Sequence, residues 1–102
     1  MKLEFESGVV IPSPTESDLA RIAVEEFAIL ISDNPNTYLQ CAKEPEPRKG
    51  YVLEYQNGSL DQHFNVVGGA IELERIVAAF SKYLLGDGSW LTDFDWERMD
   101  LP

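Results

Sequence analysis

Apolar and polar residues alternate most regularly along YVLEYQNGSLDQHFNV, residues 51–66, on both sides of Asn57 and Gly58. A period of two predicts strands, and Asn-Gly is the pair that a two-residue type I′ hairpin turn prefers. That turn sets the register and places Glu54 opposite Asp61.

The predicted inward face carries Tyr51, Leu53, Tyr55, Leu60 and Phe64, with Gln62 as its polar member. The other face carries Val52, Glu54, Gln56, Ser59, Asp61 and His63. A one-residue slip would mix the two sets, so the alternation supports this register.

Two other segments repeat apolar residues at helical spacing. In residues 72–85 they follow i, i+3, i+4, i+7 and i+11, and Gly86 stands where a helix would end. This stripe consists of Leu73, Ile76, Val77, Phe80 and Leu84. The segment SPTE predicts an earlier helix at 14–25, with Ser13 as N-cap and Glu16 completing a capping box.

The segment 27–42 is compatible with two structures. Leu30 and Ile31 continue the helical face, which would give one helix over 14–32. The runs FAILIS and TYLQCA instead flank the turn-rich DNPN, which is typical of a hairpin. We predict strands at 27–32 and 37–42, with the continuous helix as the alternative.

These elements, with a strand at LEFE (3–6), predict an α+β fold in a single domain over residues 1–102. Strands joined by short turns indicate an antiparallel sheet, here of four to six strands, with both helices packed on one face. The expected architecture is a two-layer sandwich.

The C-terminal tail, residues 87–102, mixes acidic and aromatic side chains. Phe94 and Trp96 alternate with Asp93, Asp95 and Glu97, which is strand periodicity. We expect the rings to pack inward with the acids in water, and Trp90 to cover the end of the second helix. The alternative is a hook that holds a partner, because tryptophan is frequent in binding hot spots.

Net charge narrows the classes of partner. Eighteen acidic residues against eight basic ones give a charge of −10. Such a field repels nucleic acids and anionic membranes and attracts basic protein surfaces. No apolar run is long enough to span a bilayer and the N-terminus lacks a signal-peptide pattern, so we expect a cytoplasmic protein without membrane contact.

Candidate chemistry is sparse. No nucleophile elbow, phosphate loop, dinucleotide fingerprint or paired-cysteine metal site occurs in the sequence, so we expect no enzyme, no metal and no cofactor. Cys41 is expected to be a small buried side chain, and its pairing with His63 is a minor alternative. The predicted Glu54–Asp61 repulsion, with His63 diagonal to Glu54, fits a solvated face or one neutralised by a basic partner. A metal held by these three residues is a further, lesser alternative.

Residues 51–101 also resemble a group of small, uncharacterised bacterial proteins. The resemblance rests on VLEYQNGSLDQHF, the helix ELERIVAAFSKYL and GDGSW followed by WERMDL, with weaker matches at SPTESDLARI and TYLQ. The group's pattern is VLEYQ-x-GSLD-x-H(F/Y), then YL-x-GD-x-SW, then F-x-W. The resemblance implies strands at 27–42 and transfers no catalytic residue. Some members are encoded beside secreted-toxin genes, as immunity proteins are, which implies a role of that kind.

We therefore expect a non-enzymatic interaction protein, most concretely an acidic immunity or antitoxin-type inhibitor that masks a basic active site. A small-ligand-binding domain, with a pocket between sheet and helices, is the alternative. The candidate partner-binding residues are Glu54, Asp61, His63, Asp93, Asp95, Trp96 and Glu97.

Overall fold

Seven strands form one antiparallel sheet in the computed structural model, which describes residues 1–100. They are β1 Lys2–Phe5, β2 Val10–Pro12, β3 Phe27–Ile31, β4 Thr37–Lys43, β5 Tyr51–Asn57, β6 His63–Val66 and β7 Trp96–Arg98. Their order across the sheet is β2-β1-β3-β4-β5-β6-β7. The predicted α+β class and antiparallel sheet are confirmed, but the predicted four to six strands are too few. The edge strand β2 has only three residues, which is too short to give a clear alternation.

The helix α1, Leu73–Leu85, confirms the second predicted helix. It ends at Gly86, whose φ of 76° lies in the left-handed region that glycine adopts without steric cost. Glu74 lies in its first turn and Lys82 in its last, as the helix dipole favours. Within residues 1–100, no helix is long and apolar enough to cross a membrane.

The first predicted helix is a 3₁₀ helix, Glu16–Val24, rather than an α-helix over 14–25. Residues three apart lie above one another in a 3₁₀ helix, and Leu19, Ile22 and Glu25 are buried at that spacing. The buried positions therefore follow a period of three instead of 3.6.

The start of this 3₁₀ helix also differs from the sequence prediction. Thr15 is the N-cap, and its backbone N–H donates to Asp18 Oδ2 at 2.7 Å, so the predicted box of Ser13 and Glu16 is wrong. Ser13 has a positive φ of 49°, which places it in the turn before the helix. Glu16 instead accepts a hydrogen bond from Ser81 Oγ of α1.

Both helices pack on the same face of the sheet and enclose one core. α1 crosses β4 and β5, and the 3₁₀ helix contacts α1 beside them. The buried apolar residues are Leu3, Phe5, Leu19, Ile22, Ala28, Leu30, Leu39, Cys41, Tyr51, Leu53, Ile71, Ile76, Ala79, Phe80, Tyr83 and Trp90. The helices and the sheet therefore share one core.

The segment 27–42 is the predicted hairpin. β3 and β4 pair antiparallel with Ile29 opposite Gln40, and the turn closes with the Thr37 N–H donating to the Asn34 carbonyl at 2.9 Å. The strands at 27–32 and 37–42 are therefore confirmed, and the continuous helix over 14–32 is wrong.

The register between β5 and β6 differs from the prediction by four residues. Glu54 lies opposite Asn65 rather than Asp61, and Tyr55 lies opposite Phe64. The connection is longer than two residues, because a short 3₁₀ turn, Leu60–Gln62, follows Gly58. A shift by an even number keeps the inward and outward sets apart, so the alternation satisfies both registers. Leu60, predicted to be inward, is 55% exposed as a result.

The tail packs on the chain's own core. Trp90 is buried 5.4 Å from the Tyr83 ring of α1, as predicted, and lies 4.7 Å from the Tyr55 ring. Trp96 is partly buried, and its Nε1 donates to the Leu91 carbonyl at 3.0 Å. Within residues 87–100, these rings therefore contact the rest of the chain.

Glu25, at the end of the first 3₁₀ helix, predicts a pH-dependent stabilisation. Ser7 Oγ and Arg21 Nε each lie 2.7 Å from its Oε2, and these contacts lower the pKa of Glu25 below its ordinary value of 4.5, the Ser7 hydrogen bond most strongly. The stabilisation is therefore complete above about pH 4.5 and is lost as the pH falls through the lowered folded pKa. Ser7→Ala should destabilise the protein at pH 7, and the deficit relative to wild type should shrink at pH 3. Urea unfolding at both pH values checks this, and a deficit that grows on acidification would contradict it.

Candidate functional site

The sheet face opposite α1, here called the open face, carries the polar half of the β5–β6 hairpin. The strand registers align its side chains in three rows across the sheet. The first row is Glu4, Ile29, Gln40, Glu54, Asn65 and Glu97; the second is Lys2, Ile31, Tyr38, Gln56 and His63; the third is Phe27, Ala42 and Val52. Intervening residues such as Leu39 and Leu53 point into the core.

His63 and Gln56 are enclosed although they lie on the open face, since each is only 4% exposed. His63 Nε2 lies 2.6 Å from Glu54 Oε1, and His63 Nδ1 lies 2.9 Å from Gln56 Oε1. The predicted diagonal contact between His63 and Glu54 is therefore present, in the corrected register. Both ring nitrogens of His63 face oxygen atoms.

The hydrogen-bond network assigns the protons of this cluster. Gln56 Nε2 donates to the Asn36 carbonyl at 3.1 Å, which turns Gln56 Oε1 towards His63 and towards the Tyr38 hydroxyl at 3.0 Å. His63 Nδ1 must therefore carry a hydrogen, because Gln56 Oε1 can only accept. The contact of His63 Nε2 with Glu54 Oε1 completes the network.

Glu54 is held on one side and open on the other. Its Oε1 is hydrogen-bonded to His63 Nε2 and accepts from Gln40 Nε2 at 3.2 Å. Among residues 1–100, no group donates a hydrogen bond to its Oε2, and 27% of the side chain is exposed. Burial, and then the charge of Glu54, raise the pKa of Tyr38. The arrangement fixes a carboxylate in place with one oxygen facing solvent.

A shallow depression adjoins this carboxylate. Its apolar walls are Phe27 and Val52, and the small side chain of Ala42 lies between them in the same row. Gln40 and Glu54 form its polar edge. Its volume of about 40 Å³ exceeds that of a single water but is far below that of a metabolite site. The depression suits the end of one side chain.

The structure does not bring all predicted site residues onto one surface. Glu54, His63 and Glu97 share the open face, whereas Trp96 lies on the α1 side next to Tyr55. Asp61 is exposed in the turn before β6, and Asp95 is exposed before β7. Asp93 is already paired, since its Oδ2 lies 2.5 Å from Lys82 Nζ. The tail acids are thus partly used within the chain itself.

Cys41 and His63 do not form a catalytic pair. The two side chains leave opposite faces of the sheet, and burial raises the pKa of the Cys41 thiol to about 12. That thiol stays protonated near neutral pH and is a poor nucleophile. The described residues, 1–100, contain no group of three His, Cys, Asp or Glu side chains that could hold a metal ion.

A second concavity lies on the α1 side of the sheet, near β7. Tyr55, Phe64, Leu91 and Trp96 line it, with Asn57 and Gln62 at its rim. The Tyr55 and Phe64 rings are stacked with centroids 6.0 Å apart. This aromatic pocket has a volume of about 280 Å³, close to the lower limit for small-molecule sites.

Sequence reasoning missed Tyr38, Gln40 and Gln56 as parts of the site. The available signal was the alternation in TYLQCA, where Tyr38 and Gln40 flank the buried Leu39. This alternation indicates two polar side chains on one face of β4. It does not indicate that β5 places Gln56 and Glu54 directly opposite Tyr38 and Gln40.

The chain matches no protein-family model, no curated protein and no solved structure. The resemblance of residues 51–101 to small bacterial proteins stays a prediction that rests on the residues quoted for it.

Proposed function

We propose that this chain is a non-enzymatic interaction protein that binds a basic protein surface through its open face. The observation that carries the proposal is the row of Glu4, Glu54 and Glu97, which contains no basic side chain. Lys2 lies in the neighbouring row, where its Nζ is 3.3 Å from Glu4. Two of the three carboxylates thus have no lysine or arginine partner among the described residues.

The net charge of the protein and the apolar side chains of the open face also support a basic protein as the partner. The charge of −10 attracts a basic surface over distances longer than a contact and raises the association rate. The apolar members of the open face, including Ile29, Ile31 and Val52, supply area that a partner can bury. A mixed face of this kind, with carboxylates among apolar side chains, fits a protein better than a free cation.

The most concrete form of the proposal is an immunity or antitoxin-type inhibitor. A toxin that degrades nucleic acid has a basic cleft, and a small acidic protein can fill that cleft and exclude the substrate. The small size, the charge and the resemblance of residues 51–101 support this form of the proposal.

Partner identification followed by kinetics tests the proposal. The tagged protein should capture a basic protein from its native host, identified by mass. With the purified pair, raising the salt from about 0.05 to about 0.5 M should reduce the association rate at least about tenfold, because the Debye length falls from roughly 14 to 4 Å. An acidic partner, or an association rate that does not respond to salt, would contradict the proposal.

A second candidate function is supported by the aromatic pocket of Tyr55, Phe64, Leu91 and Trp96. Its apolar walls and rim amides fit a small planar ligand with one or two polar groups. Native mass spectrometry of the protein purified from its host would show a stoichiometric small molecule if this function is correct. A ligand-free mass would exclude a tightly bound ligand.

A further inference from the structure

We infer that Glu54 and the adjacent depression receive one cationic side chain, arginine or lysine, from a protein partner. The inference rests on the proposed function and narrows it to one point of contact. The cation would sit at Glu54 Oε2, with its aliphatic stem between Phe27 and Val52 over Ala42.

The carboxylate is preorganised for this contact. His63 and Gln40 both bind Oε1, so Oε2 is the oxygen left to accept from a new donor. Gln56 fixes the His63 ring, and the Asn36 carbonyl fixes Gln56. A carboxylate already held in one rotamer loses little side-chain entropy on binding, and that loss is a main reason why exposed ion pairs are weak.

The depression explains why the occupant is a long basic side chain. Lysine and arginine bury an apolar stem and present their charge at its end. The walls of Phe27 and Val52 match the stem, and Gln40 and Glu54 match the charged end. Acidic side chains would meet the Glu54 charge, and aromatic side chains carry no positive charge to pair with it.

None of the other charged groups near Glu54 would repel a cation at its Oε2. Among residues 1–100, His63 is the only basic side chain paired with Glu54. Glu97 lies two strands away in the same row, roughly 10 Å distant at the usual strand spacing, and adds negative potential. Lys2 lies on β1, three strands from Glu54, and its ammonium pairs with Glu4.

A tetra-arginine peptide tests the inference, with tetra-citrulline as its uncharged counterpart. In ¹H–¹⁵N spectra of the full chain, tetra-arginine should shift the amides of Gln40, Ala42, Val52 and Glu54 most, and tetra-citrulline should not.

Glu54→Gln should weaken tetra-arginine binding by about fivefold, the upper range for a partly exposed ion pair. Glu74→Gln removes the same charge from the exposed side of α1 and should weaken binding by less than about twofold.

A second variant separates shape from charge. Ala42→Leu fills the depression without altering any charge and should weaken tetra-arginine binding by a similar factor, with an unchanged circular dichroism spectrum confirming the fold. Peptide binding elsewhere, or equal effects of Glu54→Gln and Glu74→Gln, would overturn this inference and leave the proposed function standing. Absence of tetra-arginine binding anywhere on the chain would count against both.

Discussion

Leu39→Ala should lower the free energy of unfolding by about 2–5 kcal/mol, while the identical change at Leu60 should lower it by less than about 0.5 kcal/mol. Leu39 is 0% exposed in β4, between Leu30 of β3 and Tyr55 of β5, so truncation leaves a cavity in the centre of the sheet. Leu60 is 55% exposed in the short 3₁₀ turn before β6 and has little contact to lose.

Urea unfolding of the two variants checks both the core and the β5–β6 register. In the two-residue-turn register, Leu60 would lie inward opposite Tyr55, and its truncation would cost about as much as that of a core leucine. Comparable losses for Leu39→Ala and Leu60→Ala would therefore contradict the four-residue shift that places Tyr55 opposite Phe64.

Trp90→Ala should destabilise the protein by about 3–5 kcal/mol, because this ring joins the tail to the core. Trp90 is 6% exposed, with its centroid 4.7 Å from Tyr55, 5.4 Å from Tyr83 and 5.7 Å from Trp96. Its loss would remove the contact between the end of α1 and β5 and loosen β7.

Thermal unfolding and near-ultraviolet circular dichroism provide the measurement. Trp90→Phe keeps an aromatic ring and should recover part of the loss, and Trp96→Ala should cost less than Trp90→Ala because Trp96 is only partly buried. If Trp90→Ala lost less than about 1 kcal/mol and kept the aromatic dichroism, the tail would not be part of the core.

The helix α1 and the hairpin of β3 and β4 could be predicted from the sequence because their signals are local. The stripe from Leu73 to Leu84 and the stop at Gly86 lie within one segment. The DNPN turn between two apolar runs likewise joins neighbours along the chain. In both cases, the residues that form the element are the same residues that carry the sequence pattern.

The β5–β6 register could not be predicted, because a shift by an even number of residues leaves the alternation of polar and apolar side chains unchanged. The Asn57-Gly58 pair suggested a two-residue turn, but β5 continues to pair with β4 as far as Asn57, which lies opposite Thr37. The Gly58 N–H also donates to the Asn36 carbonyl, at 3.0 Å. Tertiary pairing with β4 therefore lengthens the connection to β6.

The candidate site was predictable only in part for a related reason. Glu54 and His63 were recognised as neighbours because both lie in one hairpin. Tyr38 and Gln40 come from a strand whose alignment with β5 is set by long-range pairing. The pairing of Asp93 with Lys82 likewise joins the tail to α1 across a turn, and it makes this acid less available to a partner than its sequence context suggested.

The central claim is that the negative charge of the open face speeds association with a basic surface. It is tested by association kinetics with the partner that is recovered from the native host. The variant with Glu4→Gln, Glu54→Gln and Glu97→Gln should associate at least about tenfold more slowly than wild type at low salt, with a smaller change in the dissociation rate. A control variant with Glu46→Gln, Glu72→Gln and Glu74→Gln removes three exposed charges away from this face and should slow association by less than about threefold. Equal slowing by the two variants, or no slowing by the first, would contradict the account.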